Sequence, residues 1–305
     1  MFQTVVVPLD GSAFAECALP LALSIARRSG AALRLIRVAP TLGDVFFWAP
    51  LPGSPVANEI HDHFRADSMA YLESVGRRLK EAGAQAVTYS VAEGEVAEAI
   101  RINVARNGAD LVVMSSHGRG ALGRIWLGSV ADELVRSLEV PLLLTRPEEN
   151  PTNKKLEDAW AARRFVLAVD GSRLAERMLS PALALGRMMG AQYTLVRIVG
   201  VPGATQLAPH LSAELKNIGE RIFHEAEDYL TQVADRLRAN GESVETRVLF
   251  AEHPADGILK QAAEGADLIA LATHGRHGLS RLLMGSVADK VVRGSSVPVF
   301  VCRGT

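Results

Sequence analysis

The chain has 305 residues, and 33 basic against 34 acidic side chains leave a formal charge of −1, which gives no electrostatic basis for a nucleic-acid or anionic-membrane partner. Its two cysteines, Cys17 and Cys302, lie far apart and match no metal-binding or disulfide spacing, so a reducing compartment is expected. No apolar run approaches the roughly 18 residues that would span a bilayer, and the N-terminus shows no cleavable apolar segment, so no membrane partner and a cytoplasmic location are expected.

In chain order, Val/Leu/Ile-rich runs predict strands at 4–9, 32–38, 86–91, 111–115 and 141–145. Helical spacing between them predicts helices at 15–29, 61–82, 96–107 and 129–137. The second half follows with strands at 165–169, 193–198, 243–250, 268–272 and 299–302. Near-continuous apolar strands alternating with helices describe an α/β protein whose parallel sheet is buried on both faces. A Pro/Asn/Lys/Glu-rich stretch without strand pattern, 148–162, is expected to link a domain of 1–147 to one of 163–305. At about 150 residues, each half is large enough for its own core.

The halves repeat one another. Asp10-Gly11-Ser12 returns as Asp170-Gly171-Ser172, an offset of 160, and the offset holds through the following helix. Ser115 to Asp132 (SSHGRGALGRIWLGSVAD) returns as Ala272 to Asp289 (ATHGRHGLSRLLMGSVAD), an offset of 157, so the second copy has lost a net three residues in mid-domain. Both motifs follow predicted strands, where ligands gather in an open parallel sheet. If the first and fourth strands are neighbours, Asp10 stands beside the glycine loop. A carboxylate there can accept from ribose hydroxyls, while loop N–H groups and Ser129 hold phosphate.

The two copies also remove a decoy. Gly118, Gly120 and Gly123 spell G-x-G-x-x-G, and Gly118 to Arg124 nearly spells a Walker loop. The second copy has His277 and Ser280 where Gly120 and Gly123 stand, and Ile125 occupies the place of the Walker Ser/Thr. What survives is His-Gly-Arg, then, nine residues after the glycine, Gly-Ser-Val-Ala-Asp.

Together with Val-Pro-Leu-Asp-Gly-Ser near the start and Val-Pro-Leu-Leu-Leu at the end of the first half, this pattern resembles the universal stress protein family. The family's nucleotide-binding members carry G-x2-G-x9-G-[ST] after the fourth strand and an Asp after the first. The resemblance covers both halves and implies two tandem doubly wound domains, each an open five-stranded, mostly parallel sheet flanked by helices, adenine nucleotide alpha hydrolase-like. It implies ATP as ligand, with or without Mg²⁺, and AMP or ADP as smaller candidates. Asp10 and Asp170 would contact ribose, with Pro8 and Leu9, and Ala168 and Val169, beside them. The backbone around Val38 and Ile198 would meet adenine. Gly118, Gly128, Ser129 and Val130, and in the second domain Gly275, Gly285, Ser286 and Val287, would hold phosphates. Arg119 and Arg276 would be charged donors, as could Arg124 and Arg281, or they are solvated surface residues.

The family's leading glycine is Ser115 in the first domain and Ala272 in the second. A position requiring φ > 0 would strain both replacements, whereas one requiring only close backbone approach would not. Ser129 and Ser286 have a structural alternative as helix N-caps. His117 and His274 are expected to bond backbone near the turn. His61 and His63, two apart on a helix, face apart and do not form a metal site. The loop 39–59, with Phe46-Phe47-Trp48 among four prolines, is expected to cover part of the first pocket or the seam between domains. The last strands should lie at sheet edges, through which the family's domains pair; an internal pseudo-dimer follows, and a homodimer is open to it. The leading expectation is a tandem stress-response protein that binds an adenine nucleotide and signals or protects by occupancy. A scaffold of the same family that binds no nucleotide is the alternative. An enzyme is less expected, since no Walker lysine or nucleophile–base pair is present; slow ATP hydrolysis is the most foreseen.

Overall fold

The computed structural model describes residues 2–41, 43, 53–116, 127–146, 156, 160–200, 212–273 and 284–303, with backbone alone for 212–216. They belong to two compact units, Met1–Trp160 and Ala161–Thr305.

The first unit runs β1 (Thr4–Pro8), α1 (Ala13–Glu16), α2 (Leu19–Ser29), β2 (Ala32–Val38), α3 (Pro55–Glu81), β3 (Val87–Ala92), α4 (Val96–Arg106), β4 (Leu111–Ser115), α5 (Ser129–Ser137) and β5 (Leu142–Thr145). Its strands lie in the order β3-β2-β1-β4-β5, and every pairing is parallel. The order reverses direction at β1, which pairs β2 on one side and β4 on the other. Val5, Val6 and Val7 are fully buried, as a strand covered on both faces requires.

The second unit repeats the plan: β6 (Arg164–Ala168), α6 (Arg173–Glu176), α7 (Leu179–Met189), β7 (Gln192–Gly200), α8 (Ser212–Ala239), β8 (Val244–Ala251), α9 (Pro254–Ala263), β9 (Leu268–Ala272), α10 (Ser286–Gly294) and β10 (Val299–Cys302). Its order is β8-β7-β6-β9-β10, again all parallel, with the switch between β6 and β9. Within each unit the last strand ends the order, as the edge reading expects.

Two helix predictions need correction. The helix expected over 15–29 is two, α1 and α2, because Pro20 has no N–H to donate to the carbonyl four residues back. The helix expected to start at 61 starts at Pro55, inside the stretch read as loop. Ser54 caps it, its Oγ accepting from the Ala57 N–H at 3.2 Å, and Pro55 occupies the first turn, where a missing N–H costs nothing. Phe46, Phe47 and Trp48 lie outside the described residues.

Among the described residues, no helix is long and apolar enough to cross a membrane. Both thiols are buried, and burial pushes the Cys302 thiol up to about 12. A thiolate is the reactive form, so neither cysteine should titrate with a chromogenic disulfide at pH 8 in the folded protein, and both should react within seconds in denaturant. Rapid labelling of the native chain would contradict this packing.

Candidate functional site

The two polar turns and the α5 and α10 N-termini are built by local chemistry. After β1, Gly11 takes φ 88°, a left-handed conformation that suits glycine, and folds the chain back so that Asp10 Oδ1 accepts from the Ser12 N–H at 2.8 Å and from Ser12 Oγ at 2.6 Å. Ser12 Oγ in turn accepts from the Ala15 N–H at 3.1 Å and caps α1. The second unit reproduces this with Gly171 at φ 87°, Asp170 Oδ1 on the Ser172 N–H at 2.9 Å, and Ser172 on Ala175. The aspartate therefore has a turn-forming task besides any ligand.

At the neighbouring strand end, the Ser116 N–H donates to the Thr145 carbonyl and the Gly128 N–H donates to the Ser116 carbonyl at 2.9 Å, closing the base of the glycine loop. The Thr273 N–H to Cys302 carbonyl and Gly285 N–H to Thr273 carbonyl bonds do the same in the second unit. Ser115 ends β4 and Ala272 ends β9. No non-glycine residue among those described has positive φ, so neither departure from the family's leading glycine is strained.

The helix ends remove one alternative. Ser129 and Ser286 are not caps; Gly128 (φ −60°, ψ 146°) and Gly285 (φ −60°, ψ 141°) are, and neither supplies a side-chain acceptor. The serines stand exposed at the first helical position. Among the described residues no side chain caps the first turn of either helix, and the positive end of each helix lies beside the end of the preceding strand. Asp132 and Asp289, the last residues of the doubled motif, pair with Arg136 and Arg293 one turn on, and Ala131 and Ala288 are buried against the domain.

In the second unit these pieces enclose a cavity of about 500 Å³, within the range of roughly 300–1,000 Å³ usual for small-molecule sites. It gathers Ala168, Val169, Asp170, Ile198, Ala272, Gly285, Ser286 and Val287, all named from the sequence. Sequence reasoning missed Arg197, Thr273 and the apolar wall of Ile222, Pro254, Ile258 and Leu271. In the first unit Pro8 ends β1 with Leu9 and Asp10 following it, Val38 ends β2, Ser115 ends β4, and Gly128, Ser129 and Val130 stand at the start of α5, the equivalent positions. Gly118, Arg119, Gly275 and Arg276 lie outside the described residues, as do His117, His274, Arg124 and Arg281.

A second doubled constellation buttresses the site. The Arg197 guanidinium, 9% exposed, lies 5.2 Å from the centroid of the Tyr229 ring. Tyr229 donates its hydroxyl to Glu176 at 3.1 Å, and Arg236 donates to the same carboxylate at 2.6 Å. In the first unit Arg37 lies 5.1 Å from the Tyr71 ring, Tyr71 bonds Glu16 at 3.0 Å, and Arg78 bonds Glu16 at 2.9 Å. Burial first, then the facing glutamate, holds both phenols well above their ordinary range, so they remain donors. The network ties the helix after the Asp turn and the end of the second strand to the long helix, α3 or α8. His61 lies 3.0 Å from Glu93, which Arg65 also bonds, and 3.8 Å from Asp62, while His63 lies 3.5 Å from Asp67.

Parallel sheets whose strand order switches beside a glycine-capped helix and an Asp turn define, in duplicate, a tandem doubly wound α/β protein, with a cavity at the switch point of the second unit. The model of the universal stress protein family matches residues 1–146 and 161–303. The chain belongs to that family. It is 30% identical over 203 residues to a universal stress protein of Mycobacterium tuberculosis, a match spanning 65% of this chain and 63% of that relative's length. A second one, from Mycobacterium bovis, is 25% identical over 314 residues, covering 98% of this chain and 94% of its own. The crystal structure of a universal stress protein from Archaeoglobus fulgidus shares the fold with a TM-score of 0.68 at 20% identity, over 99% of this chain and 98% of that one.

Proposed function

We propose that the chain binds an adenine nucleotide, ATP or its ADP or AMP relatives, and acts in stress response through the occupied state. The observation that carries this reading is the second-unit cavity, where a carboxylate, an apolar wall and a glycine-capped helix N-terminus converge. The apolar strand ends and Ile222, Pro254 and Ile258 suit a flat base, which gains by leaving water. Asp170, which lines the cavity, would accept from ribose hydroxyls. The α10 N-terminus, with Ser286 and Val287, offers N–H donors and a positive dipole end to phosphate. Mg²⁺ would enter on the nucleotide's own phosphates. A cytoplasmic location goes with the reading, since adenine nucleotides are abundant there.

Two measurements test it. Purified protein, denatured and analysed by mass spectrometry, is expected to release ATP, ADP or AMP. In titration calorimetry Asp170→Ala is expected to weaken ATP binding at the second site by about tenfold to a hundredfold, the worth of hydrogen bonds to a charged group; Asp10→Ala does the same at the first. No nucleotide released and no heat with ATP, ADP or AMP would overturn the reading in favour of an interaction scaffold. Unchanged affinity in both variants would remove the ribose role from the aspartates.

A further inference from the structure

The inner end of the second-unit cavity is shaped by a residue that does not line it. β7 reaches the cavity with Ile198, and α9, packed on β7, contributes Pro254 and Ile258 to the same wall. Between those two on α9 lies Gly257, which is buried and screened from the cavity. A Cβ at Gly257 would stand 2.8 Å from Ile198 Cδ1, 3.2 Å from Ile198 Cγ1 and 3.2 Å from Ala251 Cβ. Ala251 is held by the backbone of β8, so the strain can be relieved only by moving Ile198, and the open space beside Ile198 is the cavity. Glycine stabilises a helix interior less than alanine does, so helix propensity does not account for it here.

The first unit makes the opposite choice at both positions. Its Ala97-Glu98-Ala99-Ile100 on α4 corresponds to Ala255-Asp256-Gly257-Ile258 on α9, and Val38 corresponds to Ile198. The larger strand residue goes with glycine on the helix, the smaller with alanine. One methylene on the strand is exchanged for one methyl on the helix.

We propose that Gly257, acting through Ile198 as a positioning residue, sets the room for the base in the second cavity and so makes the two sites differ in which ligand base they prefer. The inference rests on the nucleotide reading above. Because Ile198 has empty space to enter, an alanine at 257 burdens the ligand and not the fold.

The test uses the full chain with the first site silenced by Asp10→Ala together with Ser129→Asp, and ATP as the probe. Gly257→Ala is expected to weaken ATP binding by about tenfold, the equivalent of modest overpacking, with a thermal midpoint within about 2 °C of its parent. Ile198→Val added to Gly257→Ala, which reinstates the first unit's combination, is expected to restore the affinity. A crystal structure of the Gly257→Ala variant is expected to show the Ile198 side chain turned into the cavity. Ile198 unmoved in that structure overturns the proposal, as does unchanged affinity, or a loss the second substitution does not recover. If this parent binds no ATP, the nucleotide reading fails at the second site by itself, and the position of Ile198 in the variant still decides the geometric claim.

Discussion

Ser286→Asp is expected to stabilise the second unit slightly while abolishing its phosphate binding. Ser286 is exposed at the first position of α10, behind a glycine cap that provides no acceptor. A carboxylate there complements the helix dipole and contributes about 0.3–1 kcal/mol to folding. On the proposed reading the same carboxylate would stand within a few ångströms of nucleotide phosphate. Like charges 4 Å apart at an effective dielectric constant of about 20 repel by about 4 kcal/mol, so affinity should fall by a hundredfold or more. Ser129→Asp is expected to behave alike in the first unit. Ser286→Ala, which removes the hydroxyl and adds no charge, should change either quantity little. Thermal melts and ATP titration check the pair of effects, whose opposite signs separate a ligand role from a structural one. A Ser286→Asp chain that still binds ATP at parental affinity would show that phosphate does not sit on α10.

Gly186→Ala is expected to destabilise the second unit by about 2 kcal/mol, near the middle of the range for overpacking. Gly186 lies inside α7, where alanine would by itself be better by about 1 kcal/mol. The aromatic ring of Tyr193 occupies the space a side chain would need: a Cβ at 186 would be 2.3 Å from Tyr193 Oη and 2.6 Å from its Cε1. Tyr193 cannot retreat, being 2% exposed and packed edge-on against Phe165 with ring centroids 5.9 Å apart. In a domain of this size the loss corresponds to a fall of about 4–8 °C in the melting midpoint. Gly76→Ala is the control. Its Cβ would meet Tyr89 at the same 2.3 Å, yet Tyr89 is only partly buried and its ring can swing outward, so that substitution should be close to neutral. Equal losses at the two glycines would contradict the argument from burial.

Much of the architecture was legible in the residues. Strands such as Thr4–Pro8 and Leu111–Ser115 are apolar runs of the right length for burial on both faces, and α5 was placed to the residue by the Gly-Ser start and its apolar spacing. The helix breaks were harder, because Pro20 interrupts a pattern whose periodicity continues on either side. The Arg-Tyr-Glu-Arg constellation went unread although all four residue types are doubled. Arg37/Arg197 and Glu16/Glu176 repeat at an offset of 160, whereas Tyr71/Tyr229 and Arg78/Arg236 repeat at 158, so no single alignment frame holds the set together. Scanning for repeated residue types on both sides of the mid-domain deletion would have found it.

The sequence by itself determined that two α/β units follow one another, which strand ends carry the polar turns, and that the glycine loops share a reduced core. Those features depend on burial periodicity and on the conformational freedom of residues adjacent in the chain. Only the tertiary structure decided that Gly128 and Gly285, not the serines, cap the helices, that Ser115 and Ala272 stand without strain, and that Gly257 faces Ile198 across 59 positions of sequence. The first two are backbone angles, set where the strand ends are held in the sheet; the third is a distance between segments brought side by side in the fold, and crossover connections leave no local trace of which side chains will meet.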